Sequence, residues 1–225
     1  MRPLIGAAPD LGITLIAATY PRAYCDVNRD AAELDPTMFD EALPSSAQVN
    51  SPRVAAGLGI IAKVVAQGQN IYRGKLKLAD AQDRIARIWR PYHEKLYELI
   101  ERCVAQHGFC LLLDVHSMPS GATGGPGPRP DIVLGDGFGS TAAPEMVAFI
   151  EQEFTHAGLR VRRNVPYAGG YITRHYGHPA KHIHTVQIEI ARALYMDELS
   201  LQPHEGFETL RALMTQVLAG LPPSM

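Results

Sequence analysis

An acid and a histidine two positions apart, Asp114 and His116, follow a hydrophobic run that begins at Phe109. A continuous apolar run of this length is typical of a central strand covered on both faces. Strand periodicity puts the acid and the histidine on the same face. Ligands of open α/β sheets collect at the carboxyl ends of strands, so we interpret His116 as a candidate metal ligand and Asp114 as the carboxylate that orients it. A hydrogen-bonded histidine in a turn after the strand is the alternative.

A lone carboxylate between apolar neighbours is the second candidate: Glu189, within the segment 186–190. Burying a carboxylate is costly unless it is paired or catalytic. A glutamate of this kind suits a general base in hydrolysis. An ion pair with Arg192 at the end of the strand is the alternative interpretation.

Three arginines in loop-like segments could bind carboxylates, because guanidinium presents a planar fork of donors. They are Arg22, Arg29 and Arg174. Asn28 places an amide directly beside Arg29, and Arg174 lies in a glycine-bounded segment, residues 169–177. Solvated surface arginines are the alternative.

Two weaker metal-binding patterns are also present. His182 and His184 would share one strand face, but no third ligand stands at a suitable spacing for zinc. The three cysteines, Cys25, Cys103 and Cys110, are odd in number and lack metal-ligand spacing. They predict reduced thiols in a cytoplasmic protein.

Composition excludes several classes of function. The chain has 225 residues, 46% hydrophobic and 20% charged, which is enough to build a core. Lys and Arg total 21 against 23 for Asp and Glu, a net charge of −2, which argues against nucleic-acid binding. No apolar run approaches the roughly 20 residues of a membrane span. We therefore expect no nucleic-acid or membrane partner; the oligomeric state is not predicted.

Strand-like and helix-like segments alternate, which indicates one α/β domain over residues 1–225, without an internal repeat or linker. The long helical stripe should break near Arg90, because Pro91 follows. Ser140 or Thr141 could cap a later helix. Strands are predicted over residues 12–19, 109–115, 159–164 and 185–190, and helices over 79–107, about 141–156 and 205–218.

Several of these stretches together resemble the N-formylglutamate amidohydrolase (N-formylglutamate deformylase) family. They run in family order from about Tyr20 to Asp197. The matching stretches are residues 21–24, 26–29, 90–93, 114–117, 130–136, 169–177 and 187–189.

The resemblance implies a zinc-carboxypeptidase-like (phosphorylase/hydrolase-like) fold: a three-layer sandwich with a mixed central sheet between helices and zinc at the strand ends. His116 would be a zinc ligand, and Glu189 the base that activates the metal-bound water. Asn28 and Arg29 would hold a substrate carboxylate, and Arg174 would make a second carboxylate or amide contact. Asp114 would support His116.

The implied reaction is hydrolysis of N-formyl-L-glutamate, a small dicarboxylate, to formate and glutamate, as in histidine breakdown. Zinc would lower the pKa of its bound water to about 7 and polarise the formyl carbonyl. A substrate with two carboxylates calls for more than one cation.

One departure from the family pattern concerns the other two zinc ligands. The family opens with a strand ending in a His-Ser-Gly type motif, followed by an acid on the next helix. No histidine precedes His93 here, so only His116 remains of the ligand set. We expect either a chain shortened by that strand and helix or a lost metal, and hence weak zinc binding and poor activity. A catalytically inactive carboxylate-binding homologue and a hydrolase of another N-acyl amino acid stay open as alternatives.

Overall fold

The computed structural model describes residues 2–65, 68–122, 125 and 127–221. The chain divides into two compact units. The large unit comprises residues 1–15 and 100–225, and the small unit residues 16–99.

A four-stranded mixed sheet organises the large unit. Its strands are β1 (Cys110–Met118), β2 (Ile132–Gly135), β3 (Val161–Arg163) and β4 (Ile183–Ala191). Their spatial order is β1-β4-β2-β3, with β1 parallel to β4, β2 antiparallel to β4 and β2 parallel to β3. β4 is an internal strand, whereas β1 lies at the edge of this sheet and is mostly half-buried, so the prediction of a central strand over residues 109–115 was wrong.

The described residues form six α-helices. They are α1 (Pro52–Ala55), α2 (Leu78–Arg84), α3 (Arg90–His107), α4 (Pro144–His156), α5 (Tyr171–Tyr176) and α6 (Gly206–Ala219), counted over the described residues. A π-helical turn, Ile85–Trp89, separates α2 from α3. The predicted break near Arg90 is confirmed: the distortion lies in the turn just before Pro91. None of the described helices is long and apolar enough to cross a membrane.

One face of the sheet is the main core of the large unit. Fully buried residues of β4 alternate along the strand and meet the apolar sides of α4 and α6. The contributing side chains include Val186, Ile188, Ile190, Ile150, Phe154, Met214 and Val217. The small unit has a separate core around Phe39, Ile60, Ile61 and Ala81.

Three further element predictions were wrong. Residues 12–19 form no strand, because a strand requires a hydrogen-bonded neighbour and no described strand pairs with them. Thr141 does not cap α4: its Oγ1 donates to the Thr185 carbonyl at 2.8 Å. The glycine-bounded segment 169–177 contains α5. Within the glycine-rich stretch 118–130, residues 123, 124 and 126 lie outside the described residues.

Candidate active site

The predicted acid–histidine pair exists on β1. Nε2 of His116 donates to Oδ1 of Asp114 at 2.8 Å, and the two side chains are only 17% and 10% exposed. An ionised carboxylate has no proton to donate, so the contact places a proton on Nε2. Asp114 therefore fixes the orientation of the imidazole, as the sequence predicted.

A second polar pair lies beside it on β4. Nε2 of Gln187 donates to Oε1 of Glu189 at 2.9 Å, and both side chains are buried. In the parallel ladder Asp114 faces Gln187 and His116 faces Glu189. Because paired residues of parallel strands share a face, the four side chains form one patch, which we call the polar quartet.

The segment before α5 approaches the polar quartet closely. A Cβ on Gly135, the β2 neighbour of Gln187, would stand 2.7 Å from the nitrogen of Gly169. The absence of that Cβ lets Gly170 donate its backbone N–H to Oε1 of Gln187 at 2.7 Å. Oγ1 of Thr173 lies 3.5 Å from the same oxygen. Gln187 thus links α5 to Glu189.

Arg174 projects from α5 into solvent. The buried residues of this helix are Ile172, Thr173 and Tyr176, while Arg174 is exposed. Its guanidinium has no ion pair or side-chain hydrogen bond with any residue that the structure describes. A cation left unpaired near a polar site is available for an anionic ligand.

Arg29, in the small unit, is held by its own surroundings. Its Nε donates to the carbonyl of Leu58 and its Nη1 to the carbonyl of Asn28, both at 2.8 Å. Burial lowers the pKa of Arg29, and the neighbouring Asp26 opposes that shift. Arg22 also pairs with Asp26, at 2.9 Å.

Asn28 is buried, and its backbone N–H donates to Oδ1 of Asp26 at 3.0 Å. The large unit brings together Asp114, His116 and Glu189, with Arg174 on a helix that packs on β4. Asn28 and Arg29 belong to the small unit, and their contact with the same substrate remains a prediction.

The alternative partners read from the sequence are not those in the structure. Nε of Arg192 donates to Oγ of Ser117 at 3.4 Å, whereas Gln187 is the strand neighbour that binds Glu189. His182 precedes β4 in a left-handed conformation, so it does not share a strand face with His184.

Two residues received no role from the sequence. Gln187 is one of them. Its spacing of two residues from Glu189 could have indicated a role, because residues two apart on a strand lie on the same face. His93 is the other: it is buried, its Nε2 donates to the carbonyl of Val27 at 2.8 Å, and its ring lies 4.1 Å from that of Trp89. The Arg-Pro-Tyr-His stretch that contains it matched the family without indicating what the histidine does.

The described residues do not form a zinc site. A protein zinc site uses three or four side-chain ligands. Across residues 2–65, 68–122, 125 and 127–221, no group of three or more His, Cys, Asp or Glu side chains could hold a metal ion. The described residues therefore do not fit the three-ligand site that the family resemblance implies.

The fold and the polar quartet define an α/β protein with a mixed sheet and a polar site on one sheet face. The model of the N-formylglutamate amidohydrolase family matches residues 1–196. The chain belongs to this family.

Individual relatives agree with that assignment. The N-formylglutamate deformylase of Pseudomonas aeruginosa is 33% identical over 220 residues, which are 95% of this chain and 77% of that protein. The deformylase of Pseudomonas putida is 33% identical over 195 residues, 85% of this chain and 67% of its own length.

Solved structures also match. The crystal structure of N-formylglutamate amidohydrolase from Ralstonia eutropha JMP134 gives a TM-score of 0.91 at 38% identity, covering 96% of this chain and 79% of that one. A gene product of Agrobacterium tumefaciens, at 19% identity and a TM-score of 0.56, shares the fold.

Proposed function

We propose that the chain hydrolyses the formamide bond of N-formyl-L-glutamate, giving formate and glutamate. The observation that carries this proposal is the polar quartet, in which a buried carboxylate lies beside an oriented histidine on two adjacent parallel strands. The names of the two Pseudomonas relatives supply the substrate.

Glu189 is the proposed general base. Its carboxylate would accept a proton from the attacking water and return that proton to the amine of glutamate as the C–N bond breaks. Formate leaves with the oxygen of that water. Arg174 would pair with one substrate carboxylate, and Asn28 with Arg29 would hold the other.

Zinc is the cofactor that the resemblance implies, with His116 as the ligand that this chain offers. The described residues supply no three-ligand group, so the proton transfers above use only water and side chains of this chain. We expect the purified chain to bind zinc weakly. Tight, stoichiometric zinc in the purified protein would contradict this expectation.

The lack of a three-ligand group among the described residues favours a second candidate function, a protein that binds dicarboxylates without hydrolysing them. Such a protein would keep the exposed, unpaired Arg174 and would have no use for Glu189 as a base. We rank it below hydrolysis because Glu189 is buried and bound by Gln187, and His116 is bound by Asp114.

The test incubates the chain with N-formyl-L-glutamate, with and without added zinc, and quantifies formate and glutamate. N-acetyl-L-glutamate is the comparison substrate, because formyl and acetyl specificity depends on pocket size. Calorimetry with N-formyl-L-glutamate measures binding separately. Formate release supports hydrolysis, and binding without release supports the second candidate. If the chain neither releases formate nor binds the substrate, both candidate functions are rejected.

A further inference from the structure

The amide of Gln187 has a fixed direction. Its oxygen faces a backbone N–H, that of Gly170 at 2.7 Å, and its nitrogen faces Oε1 of Glu189 at 2.9 Å. The flipped amide would set two donors against each other and two oxygens against each other. The network therefore admits only one orientation of Gln187.

Three features built into the backbone keep this network in place. Gly135 has no Cβ, so residues 167–169 can lie against the strand. Gly169 adopts a left-handed φ of 111°, which turns the chain so that Gly170 aims at Gln187. Thr173, fully buried on α5, adds a hydroxyl 3.5 Å from the same amide oxygen.

The consequence is a physical link between two parts of the proposed site. On one side the link fixes one oxygen of Glu189, so that the carboxylate cannot rotate freely. On the other side it anchors the start of α5, the helix that carries Arg174. A buried amide satisfied at both ends is rigid, because breaking either bond leaves an unpaired polar group.

We propose that Gln187 is a positioning residue that sets the carboxylate of Glu189 and the start of α5 through the two ends of one amide. The expected effect on kcat rests on the proposed function. The anchoring of α5 by Gln187 rests on the geometry alone.

Two substitutions test the two ends of the Gln187 amide, the oxygen that faces Gly170 and the nitrogen that faces Glu189. Gln187→Glu keeps an acceptor for Gly170 but replaces the amide donor by a second carboxyl group, which must share a proton with the buried Glu189. Gln187→Leu removes both. Gln152→Leu, at an exposed position of α4, is the matched control. Because Gln187→Glu retains the buried acceptor, it also remains informative if Gln187→Leu does not fold.

The kinetic arm measures kcat and KM for N-formyl-L-glutamate. We expect Gln187→Glu to lower kcat by about 10- to 100-fold with little change in KM, because Glu189 would share a proton with a second carboxyl group and be less available as a base. Gln187→Leu should lower kcat similarly and also raise KM, because α5 and Arg174 lose their anchor. Gln152→Leu should match the wild type. Identical profiles for the two Gln187 variants, or kcat within twofold of the control, would overturn the proposal.

The structural arm needs no activity. Amide hydrogen exchange of Gly170, followed by NMR, should accelerate in Gln187→Leu and stay slow in Gln187→Glu. Unchanged exchange in Gln187→Leu would overturn the proposal whatever the kinetics. A wild-type chain that releases no formate would instead overturn the proposed function, and the exchange result would still decide whether Gln187 anchors α5.

Discussion

The two faces of β1 and β4 are made from alternate residues of the same strands, yet they carry different kinds of side chain. On one face Leu113, Val115 and Ile188 pack against the core below α4 and α6. On the other, His116 pairs with Asp114, and Glu189 accepts a hydrogen bond from Gln187. Because successive side chains of a strand point to opposite faces, the same two strands carry apolar core residues on one face and the polar quartet on the other.

This separation has an energetic basis. Apolar side chains on the core face gain about 25 cal/mol per Å² of buried surface. Buried polar groups on the other face gain little on balance and are costly when unpaired. Substitutions on the core side should therefore change stability, and substitutions in the polar quartet should change activity.

The largest expected effect on stability is on the core side. Ile150→Ala, on the side of α4 that covers the core face, should lower the free energy of unfolding by about 2–5 kcal/mol, because Ile150 is fully buried. Ile150→Val should cost about 0.5–1.5 kcal/mol. Urea unfolding measures both. If Ile150→Val lost formate release at unchanged stability, the claim that the core face affects stability and not activity would be contradicted.

Asp114→Asn tests the polar face. In the presence of added zinc, removing the carboxylate that orients His116 should lower formate release by about 10- to 100-fold, the usual cost of losing the partner of a metal-ligating histidine. Asp131→Asn, which breaks the pair with the exposed Arg160, is the control. A similar loss of activity in both variants would show that the effect is not specific to His116.

The two predicted carboxylate-binding arginines should respond differently. Arg174→Gln should raise KM by about tenfold, because a charge-assisted contact contributes about 1.5 kcal/mol or more. Arg29→Gln should also lower stability, because Arg29 binds the carbonyls of Leu58 and Asn28. Steady-state kinetics and thermal unfolding of both variants test this. Equal effects of the two variants on stability would contradict the assignment.

The smallest effect concerns His184, which lies at the start of the core face. Its Nδ1 accepts the N–H of Ala143 at 3.1 Å, and burial, followed by nearby His182, lowers its pKa, while Glu145 opposes the shift. The unfolded chain then binds the proton more readily, so the contribution of His184 to stability is lost as pH falls below its ordinary value of about 6.5.

His184→Asn keeps an acceptor without a titrating ring. Unfolding free energies at several pH values between 7.5 and 5 should therefore fall less steeply in this variant than in the wild type. The exposed His156→Gln is the control. An unchanged pH dependence in His184→Asn would exclude His184 as its source.

The apolar runs are the patterns that predicted strands most successfully, and the two strands that they indicated pair with each other. The apolar runs predicted the strands β1 and β4, although β1 lies at the edge of the sheet and only β4 is internal. Asp114, His116 and Glu189 were recognised because polar groups interrupt or follow these runs. The prediction for residues 12–19 failed because an apolar run becomes a strand only beside a partner. The four-residue β2 was not predicted, since it is too short to show a period.

Long-range contacts explain what the sequence could not predict about the site. The link from Gly170 to Gln187 spans 17 residues and depends on the close approach at Gly135. The bond from Arg29 to Leu58 likewise spans 29 residues. Neither contact follows from local spacing. The sequence therefore did not indicate a role for Gln187, nor that backbone carbonyls bind the guanidinium of Arg29.

The most direct test of the account compares formate release from N-formyl-L-glutamate by the wild-type chain and by Glu189→Gln, with thermal unfolding measured on the same samples. General-base catalysis predicts a loss of about 100-fold or more with calorimetric binding of the substrate retained. It also predicts little change in the unfolding midpoint. Equal formate release by the two proteins would contradict the assignment of Glu189 and the functional separation of the two sheet faces.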